Sequence, residues 1–155
     1  MRILASVLFS LLFLAAPSQA AEDLVRLPVE QVIVTTDRGD IAFATEIATN
    51  DETRARGLMF RRSMGEREAM LFHWPSPRVV SMWMRNTYIS LDMVFILPGG
   101  HIHRIETMTE PHSERIIESG SQISAVLELL AGTAARINLK AGDKVLHPHF
   151  KSTPK

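Results

Sequence analysis

The 155-residue chain has no cysteine, no surplus of either charge and no apolar stretch long enough to cross a bilayer; 17 Lys and Arg stand against 17 Asp and Glu. Each absence excludes something. Without cysteine there is no thiol nucleophile and no disulfide framework, so a packed core has to hold the fold together. Without a basic arm or stripe there is little to neutralise phosphates and release counterions, and no nucleic-acid partner is expected. Gly-Ser linkers, low-complexity tracts and internal repeats are missing too, which favours one domain. Also absent are a Gly-x-Ser-x-Gly elbow, a phosphate-cradling glycine loop and a His-Glu-x-x-His metal helix, so the familiar catalytic motifs offer no reaction.

What is present begins with an address. Met1-Arg2 is a short positive start, Ile3 to Ala16 is apolar apart from Ser6 and Ser10, and Ser18-Gln19-Ala20 places small residues at both cleavage-determining positions. This pattern predicts a secretory signal peptide over 1–20, and the run is shorter than the roughly 20 residues a membrane helix needs. No cysteine follows it to accept a lipid. Cleavage removes one arginine, so the 135 residues that follow carry a net −1. The expected product is a soluble periplasmic or secreted protein with a short leader at 21–28, one globular domain at 29–150 and a flexible tail at 151–155.

The periodicity predicts mostly strands. Val29 to Thr36 is rich in β-branched residues, Asp37-Arg38-Gly39-Asp40 is a turn signal, and Ile41, Phe43 and Ile47 mark a returning strand. Asn50 or Asp51 can cap a short helix with acids in its first turn, arginines later and Gly57 as its stop. Met70 to Trp74, Arg78 to Met84, Leu91 to Leu97 and His101 to Met108 read as a meander broken by Pro75-Ser76-Pro77 and Pro98-Gly99-Gly100. Ile123 to Leu130 fits either a helical face, through Ile123, Val126, Leu127 and Leu130, or a buried strand, and strand is favoured; Ala131 to Asn138 reads as a short helix and Lys144 to His147 as a last strand. The expected class is α+β: mostly antiparallel sheet, able to curl into a small barrel, with two short helices.

Two carboxylates interrupt apolar runs, Asp92 within Leu91–Phe95 and Glu128 within Val126–Leu130. A carboxylate placed there loses hydration and needs a cation or hydrogen-bond donors, for which Arg56, Arg85, Asn86 and Thr87 are available. Asp92 and Glu128 are the candidate catalytic residues of a glycan-directed hydrolase, as an acid/base pair. Alternatively, one bonds an arginine while the other ties down loop donors. The meander register places Asn86, Thr87 and Asp92 at one end of the sheet, in a groove walled by Trp83 and Met84. Such a groove suits a small molecule or glycan, which makes a non-enzymatic binding module the leading expectation, with no cofactor. The arginines at 54, 56, 61, 62 and 67, interleaved with acids, read as a solvated mixed-charge face around the short helix, with an anionic-ligand site as the lesser alternative.

A further alternative is copper. Met59, Met64, Met70, Met82, Met84 and Met93 cluster in sequence, and His101/His103 and His147/His149 form two His-x-His pairs. Thioether and imidazole are copper ligands. Methionine at alternate strand positions is also ordinary core filler, and the register sets His101 and His103 at the far end of the sheet.

Arg56-Gly57-Leu58-Met59-Phe60-Arg61, Met70-Leu71-Phe72, Trp83-Met84-Arg85-Asn86-Thr87, Leu91-Asp92-Met93-Val94-Phe95, Leu127-Glu128-Leu129 with Ala131-Gly132, and Gly142-Asp143 occur in an order and spacing that resembles the domain of unknown function 192 family. The resemblance runs from about Val29 to His147. It implies a compact, mostly β domain, often exported, and supplies no reaction. The motif positions that it marks as a site are Arg56, Met59, Trp83, Met84, Asn86, Thr87, Asp92 and Glu128. Two departures stand out: Ala69 replaces the family's usual glycine and Ala125 a common aromatic, the latter expected to alter a pocket wall.

Overall fold

The computed structural model describes residues 26–150. The expected signal peptide at 1–20, all but the end of the leader and the tail at 151–155 lie outside them. Val29–Thr36 (β1) and Gly39–Ala48 (β2) form the expected hairpin, with Thr36 opposite Gly39 and Val32 opposite Phe43. A short helix, Asp51–Arg56 (α1), follows. Its cap is the expected one: the Asn50 side chain accepts from the Thr53 N–H at 2.8 Å while the Thr53 hydroxyl accepts from the Asn50 N–H. Gly57 ends it at φ 48, and a β-carbon there would stand 3.0 Å from the Phe72 ring.

The expected meander is not formed. Glu68–Arg78 (β3) runs parallel to β2, and Ser81–Met82 (β4) is a two-residue strand. Leu91–Ile96 (β5) and Ile102–Glu106 (β6) make a hairpin, in which the Leu97 N–H donates to the His101 carbonyl at 2.8 Å as the turn signal predicted. Ile117–Glu118 (β7) pairs with β4 as a separate small sheet. Ile123–Leu130 (β8) then inserts between β3 and β5, pairing antiparallel with both. Thr133–Arg136 (α2) and Lys144–Leu146 (β9) complete the chain of elements. The main sheet has seven strands in the order β6-β5-β8-β3-β2-β1-β9.

This sheet curls into a half-barrel. Its two outermost strands approach each other at one corner, where His101 bridges to Lys144 and the Val145 N–H donates to the Gly100 carbonyl at 2.8 Å. Gly100 is required at that corner: its φ is +91, and a β-carbon would fall 2.4 Å from the Val145 carbonyl oxygen.

Every residue of β5, and β8 from Ile123 to Leu129, is buried, because the middle of the sheet is covered on both faces. Val32, Phe43, Leu71, Val94, Leu127, Leu129 and Val145 fill the inner core with α2 residue Ala134 and with Phe150. Met70, Phe72, Met93, Phe95 and Val126 form an outer core beneath Leu58, Met64, Val80, Met84 and Ile117 from the covering segments. Four methionines, Met64, Met70, Met84 and Met93, are buried there as core.

Candidate functional site

Strand pairing lines up a row of side chains across the outer face. Glu46 of β2 lies opposite Met70 of β3, Met70 opposite Glu128 of β8, Glu128 opposite Met93 of β5, and Met93 opposite Glu106 of β6. Acids therefore alternate with methionines, at about 10 Å per two strands. The outer two acids are matched by arginines. Arg61 grips both oxygens of Glu46 at 2.5 and 2.6 Å, and Leu27 N–H and Arg26 add to it. Burial opposes ionisation of Glu46 most strongly, but these donors together hold its carboxyl below the ordinary range. Arg115 and Arg104 likewise lower Glu106. Arg61 is thus a buried partner, not part of the solvated face expected for its cluster.

Glu128, in the middle, is different. It is 4% exposed, and no side chain or backbone donor among the described residues bonds its carboxyl. Burial alone pushes that carboxyl up to about 8, so it is protonated at neutral pH. It floors a cleft of about 360 Å³. The cleft is lined by α1 and its exit (Arg54, Arg56, Met59), by Phe72, Trp74 and Arg78 of β3, and by Ser81, Met82, Trp83, Arg85 and Thr87 beyond it. Four arginines face two acids, Asp51 and Glu128. Arg54 spans the rim, donating to the carbonyl of His73 at 2.8 Å and to Asp51 at 2.6 Å, with its guanidinium 5.7 Å above the Trp74 ring. Arg85 stacks at 5.4 Å on Trp83 and lies 3.9 Å from Glu114. The Arg78 side chain has no hydrogen-bond or ion-pair partner among the described residues.

Of the eight positions expected to form a site, Arg56, Met59, Trp83, Thr87 and Glu128 meet at this cleft. Met84 does not wall it, being 1% exposed and accepting a hydrogen bond from Thr109 at its sulfur. Asn86, at φ 56, serves the turn instead, its carbonyl accepting from the Phe60 N–H at 2.8 Å. Asp92 is on the opposite face of the sheet, because it pairs with Leu129 while Glu128 pairs with Met93. Its Oδ2 accepts from the Ala134 N–H at 2.8 Å, in the first turn of α2, and its Oδ1 from the Met108 N–H at 3.0 Å. Completely buried and fully engaged with backbone donors, Asp92 is a helix and loop tie, and the two carboxylates cannot act across the sheet as an acid/base pair. Ala125 belongs to the inner core, so its departure from the family pattern does not touch the cleft wall as expected.

Trp74, Arg54 and Arg78 belong to the cleft and were not among the expected site residues. The available signal was strand alternation: Met70, Phe72 and Trp74 recur every second residue of β3, on the Glu128 face.

The histidines and methionines do not converge as the copper expectation required. His147 and His149 join His73, with His73 and His149 stacked at 4.0 Å and His147 3.1 Å from Glu30. Burial, then the neighbouring imidazoles and Arg54, drop His73 to about 4. Among the described residues, no group of three or more His, Asp or Glu is placed to hold a metal ion.

A curled, mostly antiparallel half-barrel with one acid-floored, arginine-lined cleft defines the class. The family model described as DUF192, uncharacterized ACR, matches residues 32–147, and the chain belongs to that family. A solved structure from Sinorhizobium meliloti, described provisionally as a transcription regulator, is 39% identical with a TM-score of 0.78, over 81% of this chain and 98% of that one. A protein of unknown function from Novosphingobium aromaticivorans is 34% identical with a TM-score of 0.76, over 86% of this chain and 100% of that one. No curated protein matches.

Proposed function

We propose that this is an exported, non-enzymatic binding module whose ligand, a small molecule or glycan, occupies the cleft above Glu128. One observation carries the reading: a nearly buried carboxyl with no hydrogen-bond or ion-pair partner among the described residues forms the floor of an open cleft. Desolvation that no protein donor offsets is unfavourable for a carboxyl, so a fold that keeps such a group where a ligand can reach it has a use for it. The cleft volume, about 360 Å³, suits a small molecule or the end of a short glycan whose remaining units extend outward. Export rests on residues 1–20. The regulator description of the Sinorhizobium protein is not carried over, because the balanced charge of this chain gives little overall attraction for a phosphate backbone.

A thermal-shift screen of sugars, peptidoglycan fragments, nucleotides and metals tests the binding reading. At least one compound should raise Tm without being consumed, and Trp83→Ala or Glu128→Gln should reduce that rise. A screen in which nothing shifts, or in which both variants respond like wild type, refutes it. Recovery of a periplasmic or secreted product beginning at Ala21 tests export.

A further inference from the structure

Resting on that reading, we infer that the ligand is an acidic saccharide, its carboxylate met by the arginine rim and its hydroxyl groups by Glu128. The row of acids supplies the first argument. Glu46 and Glu106 each have arginines of their own, whereas Glu128 has none among the described residues, although Arg54, Arg56, Arg78 and Arg85 line the same cleft. Arg54 is committed to two carbonyls and to Asp51, and Arg85 to Trp83. Arg78 is uncommitted among the described residues. A rim of this kind attracts an anion and can grip a carboxylate with paired N–H donors.

The floor selects what hangs from that anion. A carboxyl that keeps its proton both donates and accepts, which matches a sugar hydroxyl and leaves a plain aromatic edge unable to satisfy it. Ser81 and Thr87 add two hydroxyls to the lining. Trp83, 41% exposed with the Arg85 guanidinium 5.4 Å from its ring, offers apolar indole surface for the carbon face of a sugar ring.

Calorimetric titration of the purified protein near pH 6 with trigalacturonate, its fully methyl-esterified form, glucose 6-phosphate and benzoate tests the inference. Trigalacturonate should bind at least tenfold more tightly than the ester. Arg78→Gln with Arg85→Gln, both on exposed side chains, should weaken it at least tenfold, and raising the pH to about 9 should weaken it again as Glu128 ionises beside the bound carboxylate. Equal binding of ester and acid, or binding of glucose 6-phosphate or benzoate without trigalacturonate, overturns the acidic-sugar inference and leaves the binding module standing. If none of the four binds and the wider screen is also silent, both fail.

Discussion

Glutamine at position 128 keeps the shape of the side chain and removes its ionisation, so Glu128→Gln isolates the energetic consequence of the empty row position. Burial sets the folded carboxyl at about 8 against an ordinary 4.5. The gap corresponds to ~5 kcal/mol at ~1.4 kcal/mol per pH unit, and relaxation of the site reduces the expected figure to ~3–5 kcal/mol. The sign follows from proton counting. Below pH 4.5 the carboxyl is neutral in both folded and unfolded chains. As pH rises from there toward 8, the unfolded chain releases its proton while the folded one retains it, so wild type loses stability. Above 8 both forms are ionised and the loss stops. The groups facing Glu128 are Asp51, Arg54 and Arg56 from α1, Arg78 from β3 and Arg85 beyond it. They are common to both proteins and cancel in the comparison. Urea unfolding followed by tryptophan fluorescence between about pH 5 and about pH 9 gives both curves. The variant should gain steadily on wild type up to about pH 8 and then level off. A constant difference between the two would refute the assignment of Glu128 as a buried, uncompensated acid.

Asp92→Ala strands the Ala134 and Met108 N–H groups and should cost ~2–5 kcal/mol in urea unfolding, with Asp92→Asn milder because it keeps one acceptor. Arg61→Met leaves Glu46 buried without its main partner and should cost ~3–5 kcal/mol, much of which Glu46→Gln in the same chain restores; additive losses in that double-mutant cycle would count against the pair. Gly100→Ala forces a β-carbon against the Val145 carbonyl and should cost ~1–3 kcal/mol, while the same change at Gly99, where a β-carbon meets nothing within 4 Å, should be milder. His73 binds its proton near 6.5 when unfolded but only near 4 when folded, so stability should fall as pH drops through that window, and His73→Gln should flatten the fall.

Local chemistry was legible in the chain and long-range order was not. The β1–β2 hairpin, the Asn50 cap, the Gly57 stop and the Pro98-Gly99-Gly100 turn all depend on residues a few positions apart, and each lies where turn and cap chemistry places it. The insertion of β8 between β3 and β5 depends on partners 29 to 60 positions away. Strands buried on both faces lack the alternation that reports which face is which. The same loss of alternation explains the mixed result for the two carboxylates. Asp92 and Glu128 carried an identical signal, an acid inside an apolar run, and only the pairing register sends one to α2 and the other to the cleft. Met84 failed as a wall for a related reason: β4 stops at Met82, so the alternation expected through residue 84 does not operate there.

The corner where β6 meets β9 has a consequence for self-association. Open sheets expose unpaired edge strands on which another chain can add, a hazard that grows with edge length and flatness. Here β9 is only Lys144–Leu146, and the start of β6 is tied to it by the His101–Lys144 bridge. Farther along β6, Arg104 reaches across to the carbonyl of Glu118 at 3.1 and 2.5 Å and sets a charged side chain there. A chain without cysteine, expected to work outside the cytoplasm, thereby guards its edges by curvature and charge, and concentrated samples should resist strand-to-strand aggregation until that corner opens.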